Sequence, residues 1–321
     1  MAEELSILIP ARSEMFLKNT VEDILKNIEA DTDIIATLDG EWANPSLEQH
    51  ERVNVIYVNK SIGQRAATNL ACRLSEAKYV MKIDAHCAFD KGFDRKMIEG
   101  FKEVGDEVTM VPVMRNLHAF DWKCYYCGKK WYQDAKPDVC DVCNKGDKLR
   151  MKMLWEPRRG THSTSYCFNN EPRFMYFEDY KHRPEYEEAK KTGFTESMSL
   201  QGSSFMLTRE RYWDLKICDE ELGNWGNQGI EVACKTWLSG GRVLVNHNTW
   251  YAHMFRTKEG FSFPWPVSGN DQHRVKKNVR DLFWEHKWDK AIHPVYWLVE
   301  KFWPVPGWSA EDLRVLKESE V

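Results

Sequence analysis

The chain has 321 residues, enough to bury one large core or one domain carrying an insertion. Hydrophobic residues make up 42% and the net charge is −4, which excludes a disordered chain and gives no global case for a nucleic-acid or anionic-membrane binder. No apolar run approaches the roughly 20 residues that span a bilayer, and the opening MAEELSILIP reads as a first strand rather than a signal peptide, so a cytoplasmic protein without a membrane partner is expected.

Residues 5–9 form a short apolar run that Pro10 would stop, a plausible buried strand. Leu17, Val21, Ile24, Leu25 and Ile28 then recur at three- and four-residue steps, the mark of an amphipathic helix. Strand-like runs follow at 34–38, 53–58, 79–83 and 108–113, with helical stretches over 64–75 and 93–104 between the last three. This alternation predicts an α/β fold with a largely parallel sheet covered on both faces, whose ligands bind beyond the carboxyl ends of the strands. Periodicity breaks between about 121 and 159. It resumes with a strand over 200–207, a helix over 228–238, a strand at 243–245, a loop rich in Phe, Pro and Gly at 261–269, a basic helix near 272–286 and an aromatic tail. The expected organisation is two halves of one domain (1–120 and 161–290), an insert at 121–160 and a tail at 291–321.

The segment YVMKIDAHCAF ends a hydrophobic strand in Asp84, Ala85 and His86. Alternate residues of a strand point the same way, so this carboxylate and imidazole can converge on a divalent cation that also grips a diphosphate. A turn-capping Asp beside a surface His fits the same residues, and an isolated DxH is a weak motif.

LSILIPARSE, DIIATLDGEW, SIGQRAATNLA and KYVMKIDAHCAF, in that order, resemble the nucleotide-binding half of glycosyltransferase family 2. WGNQGIEVACKTWLSGGRV, WYAHMFR and GFSFPWP resemble the polypeptide N-acetylgalactosaminyltransferases, which use DxH in place of DxD. The resemblance covers most of 5–288 apart from the insert and implies a GT-A (Rossmann-like) fold acting on a nucleotide sugar, expected in its UDP form. By the same resemblance Asp84, His86 and His253 would ligate a catalytic Mn²⁺ or Mg²⁺. Pro10, Arg12, Glu14 and Asp39 would line the base and ribose pocket, with Asp39 accepting from a pyrimidine N–H, and Gln64 and Arg65 would open the flanking helix. Arg256 and the loop 261–265 would form a lid over the donor phosphates, while Trp225 and the turn 202–204 would shape the sugar and acceptor side. The family usually places an acid where this chain has Gln228, which cannot act as a base. Glu231, one turn on, is the candidate substitute, or else only a favourable charge at a helix N-terminus. The stereochemistry of transfer stays open.

Cys124 and Cys127, then Cys140 and Cys143, form two CxxC hooks twelve residues apart. Such hooks present four thiolates to a structural zinc, so the insert is expected to be a zinc-ribbon-like module. Between 121 and 164 stand ten Lys and Arg against six Asp and Glu, interleaved with Trp122, Tyr125, Tyr126, Trp131, Tyr132 and Trp155. Cations with flat rings suit a nucleic-acid partner, so the favoured acceptor is a hydroxyl on a modified nucleobase in DNA, with protein or glycan as alternatives. A non-catalytic nucleic-acid-binding zinc protein on a degenerate transferase fold is the other class of reading, and a loop that merely braces the acceptor side fits the insert equally well. Oligomeric state is not legible.

Overall fold

The computed structural model describes residues 4–133, 135–256, 262–265 and 268–318. The first half builds β1 (Leu5–Ala11), α1 (Leu17–Asn27), β2 (Thr32–Asp39), β3 (Val53–Val58), α2 (Gln64–Leu74), β4 (Tyr79–Ile83), β5 (Cys87–Phe89) and α3 (Phe93–Val104). There follow β6 (Val108–Cys124), β7 (Lys130–Tyr132), β8 (Leu149–Ser163), β9 (Tyr166–Phe168), β10 (Phe174–Tyr176), α4 (Pro184–Lys190), β11 (Phe194–Glu196), β12 (Ser204–Thr208) and α5 (Arg209–Asp214). The chain closes with α6 (Gln228–Leu238), β13 (Arg242–His253), α7 (Gly269–Phe283), α8 (Val295–Lys301) and α9 (Ala310–Glu318).

One mixed sheet runs β11-β13-β6-β12-β4-β1-β2-β3. Its β4-β1-β2-β3 half is parallel, β12 runs antiparallel beside β4, and β13 is parallel to β6. All five residues of β4 are buried, as expected of a strand covered on both faces. Apolar clusters lie on either side of the sheet, one of them gathering α6, α7 and the 291–321 segment through Trp237, Phe283, Leu298, Phe302 and Trp308. Among the described residues no helix is long and apolar enough to cross a membrane.

Several expected boundaries shift. Pro10 does not end β1, which pairs with β4 only as far as Leu8 but with β2 through Ala11. Pro10 thus lies where the strand has a single neighbour and a missing N–H is tolerated. The run expected at 108–113 is the start of a 17-residue strand. The stretch 121–159 is irregular only in part: β7 and β8 pair antiparallel with the far end of β6 in a three-stranded ribbon, and 135–148 are turns and loops. Its period-two pattern is masked because aromatics and cysteines fill the inner positions and charges the outer ones. The strand expected over 200–207 begins only at Ser204, since 201–203 turn beneath a cavity, and the run at 243–245 extends from Arg242 to His253.

Candidate active site

Strands β1, β2 and β4 end together, which brings Arg12 and Glu14, Asp39, and Asp84 to one edge of the sheet. His86 enters β5, whose pairing with β13 sets His253 opposite Cys87. The result is a tight trio. His86 Nε2 lies 3.1 Å from His253 Nε2, which is 3.2 Å from Asp84 Oδ2, and all three donor atoms fall within 4.8 Å of one another. Two imidazole nitrogens and a carboxylate oxygen converging in this way is a donor set suited to a divalent ion.

The surroundings keep these ligands in binding form. Burial pushes the Asp84 carboxyl up, but Lys82 and the two imidazoles outweigh it and hold the group well below the usual carboxylate range. Burial, only partly offset by the hydrogen bond that Asp84 accepts, holds His253 down at about 4, so its ring is neutral at pH 7. His86 Nδ1 lies 2.9 Å from Glu14 Oε2. A carboxylate there assigns the ring proton to Nδ1 and leaves the Nε2 lone pair facing the trio.

The trio forms part of the wall of a cavity of about 450 Å³, shared with Pro10, Arg12, Asp39, Gln64, Gly202, Trp225, Gln228 and Arg256. Arg12 has no hydrogen bond or ion pair among the described residues, and Gln228 Oε1 is buried without a donor. Gln228 Nε2 is spent on Cys218 Sγ at 3.0 Å. Trp225 packs edge-on against Phe263 of the expected lid, ring centroids 5.4 Å apart, while Arg256 reaches the Ser262 carbonyl at 2.9 Å. Phe261 of that loop lies outside the described residues.

The first half of the chain matches the family model for glycosyl transferase family 2 over residues 6–123, and this stretch contains β1, β2, β4 and the DxH tip. Residues 6–123 are a glycosyl transferase family 2 domain. The chain is 21% identical to human polypeptide N-acetylgalactosaminyltransferase 13 over 277 residues, 86% of this chain and 39% of that protein. It is 33% identical to a Drosophila melanogaster protein named putative polypeptide N-acetylgalactosaminyltransferase 13 over 218 residues, 68% of this chain and 31% of that one. The chain thus spans well under half the length of these curated relatives. The crystal structure of GalNAc-T7 with UDP, GalNAc and Mn²⁺ superposes with a TM-score of 0.61 at 16% identity, over 98% of this chain and 54% of that one, which shows a GT-A-like fold.

Two residues expected to take part in the chemistry, Arg65 and Glu231, stand away from the cavity. Arg65 is 1% exposed, with its guanidinium bound to Glu231 at 2.9 Å and to the carbonyls of Gly223 and Gly226. It is a structural tie and not a donor contact. Glu231 is completely buried, held by Arg65, by Lys235 at 3.3 Å and by the Asp219 amide at 2.8 Å. It does not line the cavity, so it does not stand in for the acid missing at Gln228. Two other assignments change character. Glu14 spends its carboxylate on His86 and Arg256 rather than on a base or ribose. Asp39 accepts from Ser61 Oγ and from the amides of Ile62 and Gly63, so it closes the β3–α2 loop first and keeps a single lone-pair site for a ligand.

Lys82 was not singled out by sequence reasoning. Fully buried, its ammonium meets Asp84 Oδ1 at 2.5 Å and the Gly202 carbonyl at 2.6 Å, joining β4 to the turn across the cavity. A lysine inside the apolar run YVMKI was the available signal, because a cation in a doubly covered strand needs a buried partner.

The four cysteines of the insert also converge. Cys124 and Cys143 sulfurs are 3.6 Å apart, Cys127 and Cys140 3.4 Å, and all four lie within 4.8 Å. Disulfide sulfurs would sit at about 2.05 Å, whereas ligands about 2.3 Å from a tetrahedral zinc are separated by about 3.8 Å. The thiols divide: backbone amides of the first hook lower Cys124 to about 7, whereas burial raises Cys143 to about 12.

Proposed function

We propose that this chain transfers a sugar from a nucleotide-sugar donor, read as UDP-linked, to an acceptor hydroxyl, with Mn²⁺ or Mg²⁺ held by Asp84, His86 and His253. The observation that carries this is the convergence of those three donors on a cavity at the carboxyl ends of β1, β2 and β4, within a family 2 domain. A divalent ion in that position would offset the charge that grows on a departing diphosphate.

The chain's own residues take the remaining roles. Arg12, the cation in the cavity with no partner among the described residues, receives a donor phosphate. Arg256, tied to Glu14 and to Ser262, couples the metal site to the lid. Gln228 Oε1 accepts from a sugar or acceptor hydroxyl beside Trp225. The donor half is 1–120 and the acceptor and lid half 161–290. The relatives' names point to an acceptor hydroxyl on a protein or glycan, and they lend no support to the DNA nucleobase expected from the insert's composition. Structural zinc at Cys124, Cys127, Cys140 and Cys143 belongs to the same proposal.

The test is UDP binding by calorimetry with and without Mn²⁺. Wild type should need the ion, and Asp84→Ala should lose ion-dependent binding by about 100-fold or more while its melting temperature stays within a few degrees. A folded Asp84→Ala protein that binds UDP as wild type does, with EDTA present, would refute the assignment.

A further inference from the structure

β6 is the middle strand of the ribbon, with β7 on one edge and β8 on the other. The register sets Lys123 opposite Lys130 on one side and opposite Arg150 on the other. Three cations therefore stand in one row across three strands, on one face. The next row on that face is Asp121, Tyr132 and Lys152. Directly opposed side chains have Cβ atoms about 4.5–5.5 Å apart, and like charges so placed destabilise a sheet.

The Arg150 guanidinium reaches, within the described fold, only the backbone carbonyls of Asp147 and Leu149, at 3.0 and 2.9 Å, so no anion there offsets the row. Among the described residues no carboxylate pairs with Lys123, Lys130, Arg150 or Lys152, and Asp121, the acid in these rows, is engaged by His118 at 2.7 Å. Lys129 and Lys148 nearby do find carboxylates, in Asp141 at 3.6 Å and Asp147 at 3.8 Å. The other face of the ribbon, with Trp122, Trp131 and Met151, packs against apolar clusters, so the cationic face is the one left to solvent. Rings accompany it: Tyr125 is 57% exposed with Lys123 Nζ 4.9 Å from its centre, and Tyr132 is 42% exposed beneath Arg158 at 4.3 Å.

We propose that this face binds single-stranded nucleic acid. Phosphates supply the counter-charge that the cation row lacks, and an unstacked base supplies a flat partner for Tyr125, whereas Tyr132 already packs against His118 at 4.5 Å and Arg158 at 4.3 Å. An acidic protein would answer the charge but leave the Tyr125 ring unused. The inference concerns binding alone and does not rest on the sugar-transfer reading.

Fluorescence anisotropy of fluorescein-labelled oligothymidylate, titrated with the full chain between about 50 and 200 mM salt, provides the test. Four neutralised phosphates predict a log–log salt slope of about −3. Lys130→Glu with Arg150→Glu should weaken binding at least about tenfold and flatten the slope toward about −1, while removal of like-charge neighbours keeps or raises the melting temperature. Tyr125→Ala should weaken oligothymidylate binding roughly tenfold and leave heparin binding unchanged. Should the charge-reversed protein misfold, Tyr125→Ala and Lys152→Ala, both at exposed positions, carry the test. Absence of binding at the low-salt end would overturn the proposal, as would oligothymidylate binding unaltered by these changes. Heparin or duplex DNA bound as tightly as oligothymidylate, with no effect of Tyr125→Ala, would also overturn it in favour of a generic anion surface.

Discussion

Glu14 and Arg65 show opposite outcomes for buried charges near one site. The Glu14 carboxyl is pushed up by burial, but His86 and Arg256 outweigh this and hold it below the usual range, so it stays an acceptor for both. If its task is to orient His86, Glu14→Gln should weaken Mn²⁺ affinity by roughly 10- to 100-fold with a smaller effect on folding, as read by calorimetric titration. Unchanged affinity would return Glu14 to the nucleotide pocket. Arg65 makes the reverse prediction. Its guanidinium is committed to Glu231 and two carbonyls, so Arg65→Met leaves Glu231 buried with a lost partner and should cost about 3–5 kcal/mol in urea unfolding. A donor-binding arginine would instead leave unfolding unchanged and weaken UDP binding. The sequence motif carries both residues into the same pocket, because a family pattern reports which side chain is present and not which way its far end turns.

Helix α6 starts at Gln228 against the turn 201–203, and the closeness of that contact is set by one residue. A Cβ added at Gly229 would lie 2.0 Å from the Leu200 carbonyl oxygen and 3.0 Å from the Gly202 amide. Backbone cannot yield as a flexible side chain does, so Gly229→Ala should destabilise by about 3 kcal/mol or more and displace Gln228 from the cavity. Denaturant unfolding checks the first effect and donor affinity the second. On β13, burial with the nearby charges of Lys190 and His162 holds His247 down at about 4, below its ordinary 6.5. Between those values the unfolded chain binds more protons than the folded one. The stabilisation is present above about 6.5 and is lost as pH falls toward 4, on the order of 2 kcal/mol at most given the partial exposure of the ring. His247→Gln should flatten that part of the stability profile, and an identical profile in the variant would disprove the linkage. Elements with one clear period were legible beforehand: β3, β4, α3 and α6 fall where their apolar patterns place them. The ribbon was not, since its alternation is written in Trp, Cys and Lys rather than aliphatics. That His253 would meet Asp84 and His86 was legible only by resemblance, because the pairing of β5 with β13 joins segments more than 150 residues apart, as the 167-residue spacing of His86 and His253 shows.

Across the whole molecule two apolar regimes meet along β6. Below, the strand lies in a sheet covered on both faces by large clusters, and its near-ribbon part is braced where Phe16 packs on Phe120 at 5.7 Å and on Trp155 at 6.0 Å. Above, the distal ribbon owns a cluster of just Cys124, Cys140 and Leu149, with Trp131 and Cys143 partly buried beside them. So little apolar burial cannot offset the ordering of the loops between the hooks, at about 1–2 kcal/mol per residue for the backbone alone. On the proposed zinc reading, a metal at the four sulfurs would supply the missing stability, and its binding energy there would be folding energy. Cys140→Ser, or extraction of the metal by a strong chelator, should therefore melt the distal ribbon without melting the sheet. Limited proteolysis should cut between the hooks, while the main thermal transition and UDP binding persist, because Phe16, Phe120 and Trp155 hold the base of the ribbon in place. Zinc content should fall from about one per chain to none in step with the cleavage. If the distal ribbon of Cys140→Ser resists protease as wild type does, the four sulfurs do not depend on a metal, and the apolar cluster is sufficient by itself.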